Sequence, residues 1–299
     1  MSDETNADAD WVPINSGALT ALINPLGAQL SALRDSAGRD LLWDGNPAIW
    51  AGRAPLLFPI VGALNGGSYR LGTQQYPLSR HGFARGSRFT VMSSASNQAA
   101  FRLTSDDASR RIYPFEFDLE VLFALESGTL AIESRISNRG NAILPASLGY
   151  HPAFRWPLPF GQSRSSHYIE FDSSESAPTR RLNPEGLLAP ETFPTPIVGR
   201  RLTLIDDLFN NDALIFDSLR SRRVTYGADK GPRIGVSFPD SPYLGVWTKP
   251  GANFICIEPW NGIADPQGFE DDFSRKPGIF QIAPGAARAI RITISFLDA

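Results

Sequence analysis

This 299-residue chain is predicted to be all-β, a large antiparallel β-sandwich or barrel, and three observations carry the prediction. Apolar residues recur with a period of two, helical patterns are scarce, and 26 glycines and 24 prolines separate the short apolar runs. The clearest run is AIRITISF, residues 289–296, where Ile290, Ile292, Ile294 and Phe296 alternate with Arg291, Thr293 and Ser295. That alternation puts one face of a strand in a core and the other near solvent.

Taken along the chain, strands are expected at residues 28–33, 87–92 and 99–103. Residues 119–125 and 130–136 flank Glu126, Ser127, Gly128 and Thr129 and read as a hairpin. Further strands are expected at 222–226, 233–238, 244–248 and 254–258. A turn or two of helix near residues 206–210 is the best helical candidate. The Ser-rich residues 162–176 and the four-proline stretch 184–196 read as long exposed loops, of the kind that often cover a binding site. No internal repeat or composition shift divides the chain, so one domain over residues 1–299 is expected, with 1–10 a disordered polar tail.

Composition narrows the function classes. The chain is 42% hydrophobic and 20% charged with a net charge of −3, which favours neither nucleic acid nor an anionic membrane as a partner. The single cysteine, Cys256, excludes an internal disulfide, and with three histidines it disfavours a Cys/His zinc site. The acidic start MSDETNADADW lacks the basic and apolar regions of a signal peptide, and no apolar run is long enough to span a bilayer. A cytoplasmic enzyme or binding protein is the expectation.

Three clusters can carry chemistry. In LGYHPAFRW, His151 directly precedes Pro152, which restricts its backbone to extended angles. A stiff backbone suits a residue that delivers a proton to a fixed point, and histidine titrates near neutrality. A core histidine bonded to a carbonyl is the plainer alternative. In RHGFAR, Gly82 after His81 permits close backbone approach, while Arg80 and Arg85 offer planar forks for carboxylates, phosphates or hydroxyls. A charged β-turn explains the same residues. Upstream, Arg53 heads the apolar stretch to Gly62 and reads either as a buried ligand or as a rim charge. In FICIEPWNGIAD, Phe254, Cys256 and Glu258 share one strand face. Glu258 thus closes an apolar strand, where desolvation raises a carboxyl pKa towards that of a useful base. Trp260 offers an aromatic face for a sugar ring. An ion pair with one of the arginines is the alternative for Glu258. His167, in the Ser-rich stretch, is expected to be solvated. A histidine and a tuned carboxylate together can move protons between oxygens without a cofactor.

These segments also resemble a known family. NPLGAQL, RAPLLFPIVG, RHGFAR, SLGYHPAF, LFNNDALIF and LGVWTKPGANFICIEPWNGIAD, in that order, are similar to the aldose 1-epimerase (galactose mutarotase) family, most closely its LacX-like branch. The resemblance implies the galactose mutarotase-like supersandwich and interconversion of the α and β anomers of an aldose, with no cofactor. It implies Glu258 as general base and His151 as general acid, with His81 holding sugar oxygens. Asp212, Arg53, Arg85, Trp247 and Trp260 are the further candidates for binding the sugar, and Lys249 is placed to reach an anionic group. Two alternatives stand beside it: a hexose-6-phosphate mutarotase, with Arg53, Arg80, Arg85 and Arg88 as the basic pocket, and a non-catalytic sugar-binding protein on the same scaffold.

Overall fold

A computed structural model describes residues 10–298. The tail expected at residues 1–10 therefore lies outside the described residues except for Asp10, which pairs with Arg88 at 2.5 Å.

The period-two pattern builds two antiparallel sheets. The larger has nine strands in the order Arg201–Thr203, Tyr168–Phe171, Arg223–Gly227, Arg233–Ser237, Ala287–Leu297, Thr129–Asn138, Phe117–Glu126, Gln98–Thr104 and Thr90–Ser94. In its strand Phe117–Glu126, residues Phe117, Leu119, Val121, Phe123 and Leu125 are buried on one face while their neighbours are partly or fully exposed. Each such side chain taken out of water contributes roughly 1.5–3 kcal/mol. The expected hairpin is present: Ser127 and Gly128 both have positive φ, 44° and 78°, which matches the twist of the strands they join.

The smaller sheet has six strands. Leu214–Phe216, Tyr243–Trp247, Phe254–Asn261, Leu148–Tyr150 and Leu56–Leu57 lie side by side, and Ala153–Arg155 also pairs with Phe254–Asn261. Its inner face, including Leu244, Val246, Ile255 and Ile257, shares one core with the inner face of the larger sheet. Tyr150 ties the two layers directly, its hydroxyl donating to Ile290 O at 2.8 Å. A three-stranded sheet of Val12–Asn15, Leu19–Asn24 and Gln29–Asp35 and two short strand pairs complete the β-structure among the described residues.

Sequence and structure part at four places. The strand expected at 254–258 continues through Pro259 to Asn261, and all eight of its residues are buried. The Ser-rich stretch is not a long exposed loop, since it holds the largely buried strand Tyr168–Phe171. His167 is a correction: it is 1% exposed, its Nε2 accepts Leu158 N–H at 3.1 Å, and its Nδ1 lies 2.9 Å from Ser163 O. The expected turn at 206–210 is a 3-10 helix, Asp206–Phe209, whereas a short α-helix at Asp107–Ile112, closed by an Asp106/Ser109 capping box, is additional. Among the described residues no helix is long and apolar enough to cross a membrane.

Candidate active site

The site begins as a break in a ladder. Leu148 and Gly149 pair with Asn261 and Trp260, and beyond the break Ala153 and Phe154 pair with Cys256 and Ile255. The register is the same on both sides, so His151 stands opposite Glu258. Their neighbours Pro152 and Pro259 have no N–H, and two rungs beside the pair are missing. Ile257 N–H still reaches Pro152 O at 3.2 Å. With both side chains on the same face, His151 Nε2 comes within 3.1 Å of Glu258 Oε2.

His81 enters from a tight turn whose close is Gly82 N–H to Ser79 O, 2.8 Å. His81 itself has φ of 68°, and Gly82 follows at 72°. A β-carbon on Gly82 would lie 2.2 Å from Phe58 O, so no other residue fits there without moving that strand. Gly62 N–H donates to His81 Nδ1 at 3.1 Å, which leaves the ring proton on Nε2. His81 is thereby fixed as a neutral donor.

Three tryptophans shape the walls. Trp260 lies against the sheet because the positions flanking it are glycines. A β-carbon on Gly245 would be 2.4 Å from its ring, and one on Gly149 would be 2.8 Å away. Trp50 stacks on His151 at 5.1 Å between ring centroids, and Trp247 meets Trp50 edge-on at 5.5 Å. Trp50 is held by Trp43, whose indole N–H donates to Trp50 O at 2.8 Å. Together these residues enclose a cavity of about 310 Å³, which is also lined by Arg80, Arg85 and Asp212. That is the lower end of small-molecule pockets and fits one sugar ring.

Burial governs the electrostatics. It pushes the Glu258 carboxyl well above the usual range; nearby Asp212 adds to the rise, while Arg80 opposes it. Burial pushes His151 down to about 3, with Arg80 and Arg85 acting in the same direction. His81 is held well below its ordinary value by burial first and then by His151 and the two arginines. Both members of the His151–Glu258 pair therefore resist charge, and across a broad pH range the pair holds one exchangeable proton.

The structure brings His81, Arg85, His151, Asp212, Trp247, Glu258 and Trp260 to one cavity. Asp212 sits at positive φ, 63°, its Oδ1 accepting Ala213 N–H at 2.7 Å and its Oδ2 3.9 Å from Arg80. Arg53 does not line the cavity. Its Nη1 donates to Ser31 O at 2.8 Å and its guanidinium lies over Trp11 at 5.0 Å, so it ties the three-stranded sheet to the chain before the cavity. Lys249 points away as well, with Nζ 3.4 Å from Ile49 O. Trp50 went unrecognised in the sequence because its partner His151 is distant in the chain. Among the described residues, His151, Cys256 and Glu258 form the grouping compact enough to meet a metal ion. Burial holds the Cys256 thiol protonated, and the other two are engaged with each other.

Comparisons with known proteins place the chain in a family and match its fold. A sequence profile described as Aldose 1-epimerase matches residues 11–269. Protein LacX (plasmid) of Lactococcus lactis subsp. lactis is 30% identical over 283 residues, covering 91% of this chain and 95% of that protein. A galactose mutarotase related enzyme from Lactobacillus acidophilus superposes with a TM-score of 0.88 at 29% identity, covering 96% of this chain and 97% of that chain. A galactose mutarotase-like protein from Lactobacillus casei does so at 0.89 and 28% identity, covering 96% and 99%. The profile runs through every segment that builds the cavity, and on that match the chain belongs to the aldose 1-epimerase family.

Proposed function

We propose that the chain is a cofactor-independent isomerase that interconverts the α and β anomers of an aldose. The observation that carries this reading is the 3.1 Å contact between His151 Nε2 and Glu258 Oε2 in the wall of a one-ring cavity. The two oxygens that exchange protons in anomerisation are both bonded to C1. Their acid and base must therefore be neighbours, and these two residues are.

The forward step runs through the ion-pair form of the pair, in which its one proton has crossed the 3.1 Å contact from Glu258 to His151. Glu258, as carboxylate, takes the proton of the C1 hydroxyl while protonated His151 gives one to the ring oxygen. The C1–O bond of the ring breaks as the C1 carbonyl forms. The pair begins and ends with one proton, which has moved from His151 to Glu258. Rotation about C1–C2 presents the other carbonyl face, and closure returns the proton to its first position. The Nε2–H of His81 is a donor for a sugar oxygen, Asp212 an acceptor for a hydroxyl, and Arg80 and Arg85 offer further donors. The tryptophans supply apolar faces for the ring C–H groups.

A sugar bearing a phosphate is the second reading, and it rests on the two arginines in the cavity wall. One experiment tests both. Anomer exchange is followed by NMR near neutral pH for glucose, galactose and glucose 6-phosphate, with Glu258→Gln as control. Acceleration of a free aldose that drops by about 10²–10⁴-fold in the variant is expected, the usual contribution of a positioned acid–base group. Acceleration of the phosphate ester alone selects the second reading. No acceleration of any sugar, with binding intact, overturns both and leaves a sugar-binding protein.

A further inference from the structure

Trp260 carries a polar group that an apolar cavity wall does not need. Its indole Nε1 is buried and, among the described residues, has no hydrogen-bond partner. Buried indole N–H groups normally find an acceptor, so an orphan of this kind calls for one that appears in another state of the protein. We propose that Trp260 is a positioning residue whose N–H bonds the Glu258 carboxylate once that group has given up its proton, holding the base in its working form. The proposal rests on the isomerase reading above for what the carboxylate does, not for where the donor points.

Strand register brings donor and acceptor together. Glu258 and Trp260 are two residues apart in Phe254–Asn261, so their side chains rise from one face of the sheet. Gly149 is the strand partner of Trp260, and Gly245 is the partner of Glu258. The indole lies across both. A β-carbon on Gly149 would meet its Cδ1 at 2.8 Å, and one on Gly245 would meet its Cζ2 at 2.4 Å and its Cε2 at 3.1 Å. Nε1 lies between Cδ1 and Cε2 in the ring. The N–H edge is therefore the edge laid along the sheet, running from the level of Trp260 to that of Glu258. The atom is closed off from the cavity, so a sugar hydroxyl does not reach it.

The two protonation states of the pair differ in what they offer this donor. At rest burial keeps the proton on Glu258, and a neutral carboxyl is a weak acceptor. In the ion-pair form the same oxygens carry a full charge in a site that water has left. The Trp260 indole acts on Glu258 in the direction of the carboxylate, against the effect of burial. A donor already fixed where charge develops stabilises that charge without reorganising, which is the form of assistance that favours the reactive state over the resting one.

The test is Trp260→Phe, which keeps an aromatic ring at the wall and removes the N–H. The other titratable and charged groups around Glu258, namely His81, Arg80, Arg85, His151, Asp212 and Cys256, stay in place. In anomer exchange followed across pH, the alkaline limb of kcat should move up by about one to two pH units, the worth of a hydrogen bond to a charged group. At neutral pH kcat should fall about three- to tenfold, roughly half that shift on a logarithmic scale because the carboxylate is partly neutralised in the transition state, with KM within about twofold. An unmoved limb overturns the proposal, and so does a loss confined to KM, which is what an apolar contact alone gives. A second measurement needs neither this variant nor turnover. The indole ¹H–¹⁵N resonance of Trp260, assigned through its own backbone, is followed while the Glu258 carboxyl is titrated by ¹³C NMR. A downfield shift of the indole proton as the carboxyl ionises, absent in Glu258→Gln, is expected. A resonance that stays still as the carboxyl ionises, or moves alike in both proteins, overturns the donor. If wild type turns over no sugar, the isomerase reading fails separately and the resonance still decides the role of Trp260.

Discussion

Glu258→Gln is expected to change the pH dependence of stability in a way that exposes the proton count of the site. In the native protein the His151–Glu258 pair holds one proton, because burial raises the carboxyl and lowers the imidazole. Unfolded, the same two residues hold two protons below about pH 4.3, one between about 4.3 and 6.5, and none above. The pair's contribution is therefore flat in the middle window and declines on both sides, by about 1.4 kcal/mol per pH unit for each proton of difference. With glutamine at 258 the native site holds no proton and the high-pH decline disappears. The variant should thus gain on wild type by about 1.4 kcal/mol for each pH unit above about 4.3, until the raised native pKa is reached. Urea unfolding at pH 5, 6 and 7, with midpoints and slopes fitted for both proteins, reads this directly. A stability difference that stays constant across the three pH values refutes the one-proton pair.

Three other outcomes follow from the same geometry. The pH profile of kcat should be flat through neutrality. Its acid limb should fall towards about 3, where His151 takes a second proton, and its alkaline limb should lie well above the ordinary carboxylate range, where Glu258 loses the last one; a limb near 6.5 overturns this. Trp50→Ala removes the ring stacked on His151 and should lower kcat about three- to tenfold with less effect on KM, and Trp50→Phe should recover most of it. Lys276→Met should cost about 3–5 kcal/mol by urea unfolding, because it strands the buried Asp265 that Lys276 meets at 2.7 Å, and adding Asp265→Asn should return much of the loss.

Much of the fold is legible because half-buried strands record their packing as alternation, as in Phe117–Glu126 and Ala287–Leu297. Strands buried on both faces lose that record. Phe254–Asn261 reads as a shorter strand because Pro259 resembles a terminator, yet the proline sits where the ladder is already open. The helix Asp107–Ile112 has no buried residue, so no apolar stripe announces it. At the site, the proline after His151 and the one after Glu258 mark two constrained residues, but their opposition depends on strand register, which the sequence does not print. Arg53 shows the converse: its chemistry suits a hydroxyl ligand, while the strand Gln29–Asp35 draws it elsewhere. His167 looked solvated because its neighbours are serines, although the strand that follows it is core.

That His151 and Glu258 face each other across paired strands has a consequence for how the site comes into being. Their opposition is a matter of strand register, set when Leu148–Tyr150 and Ala153–Arg155 dock on Phe254–Asn261. The contact between the two side chains needs only that pairing, not a loop closed over them. The sheet that carries the two residues is thus also what brings them together. Perturbations that fray the sheet margins should leave the His151–Glu258 contact intact, and those that separate the pair must open the sheet at its interior strand Phe254–Asn261.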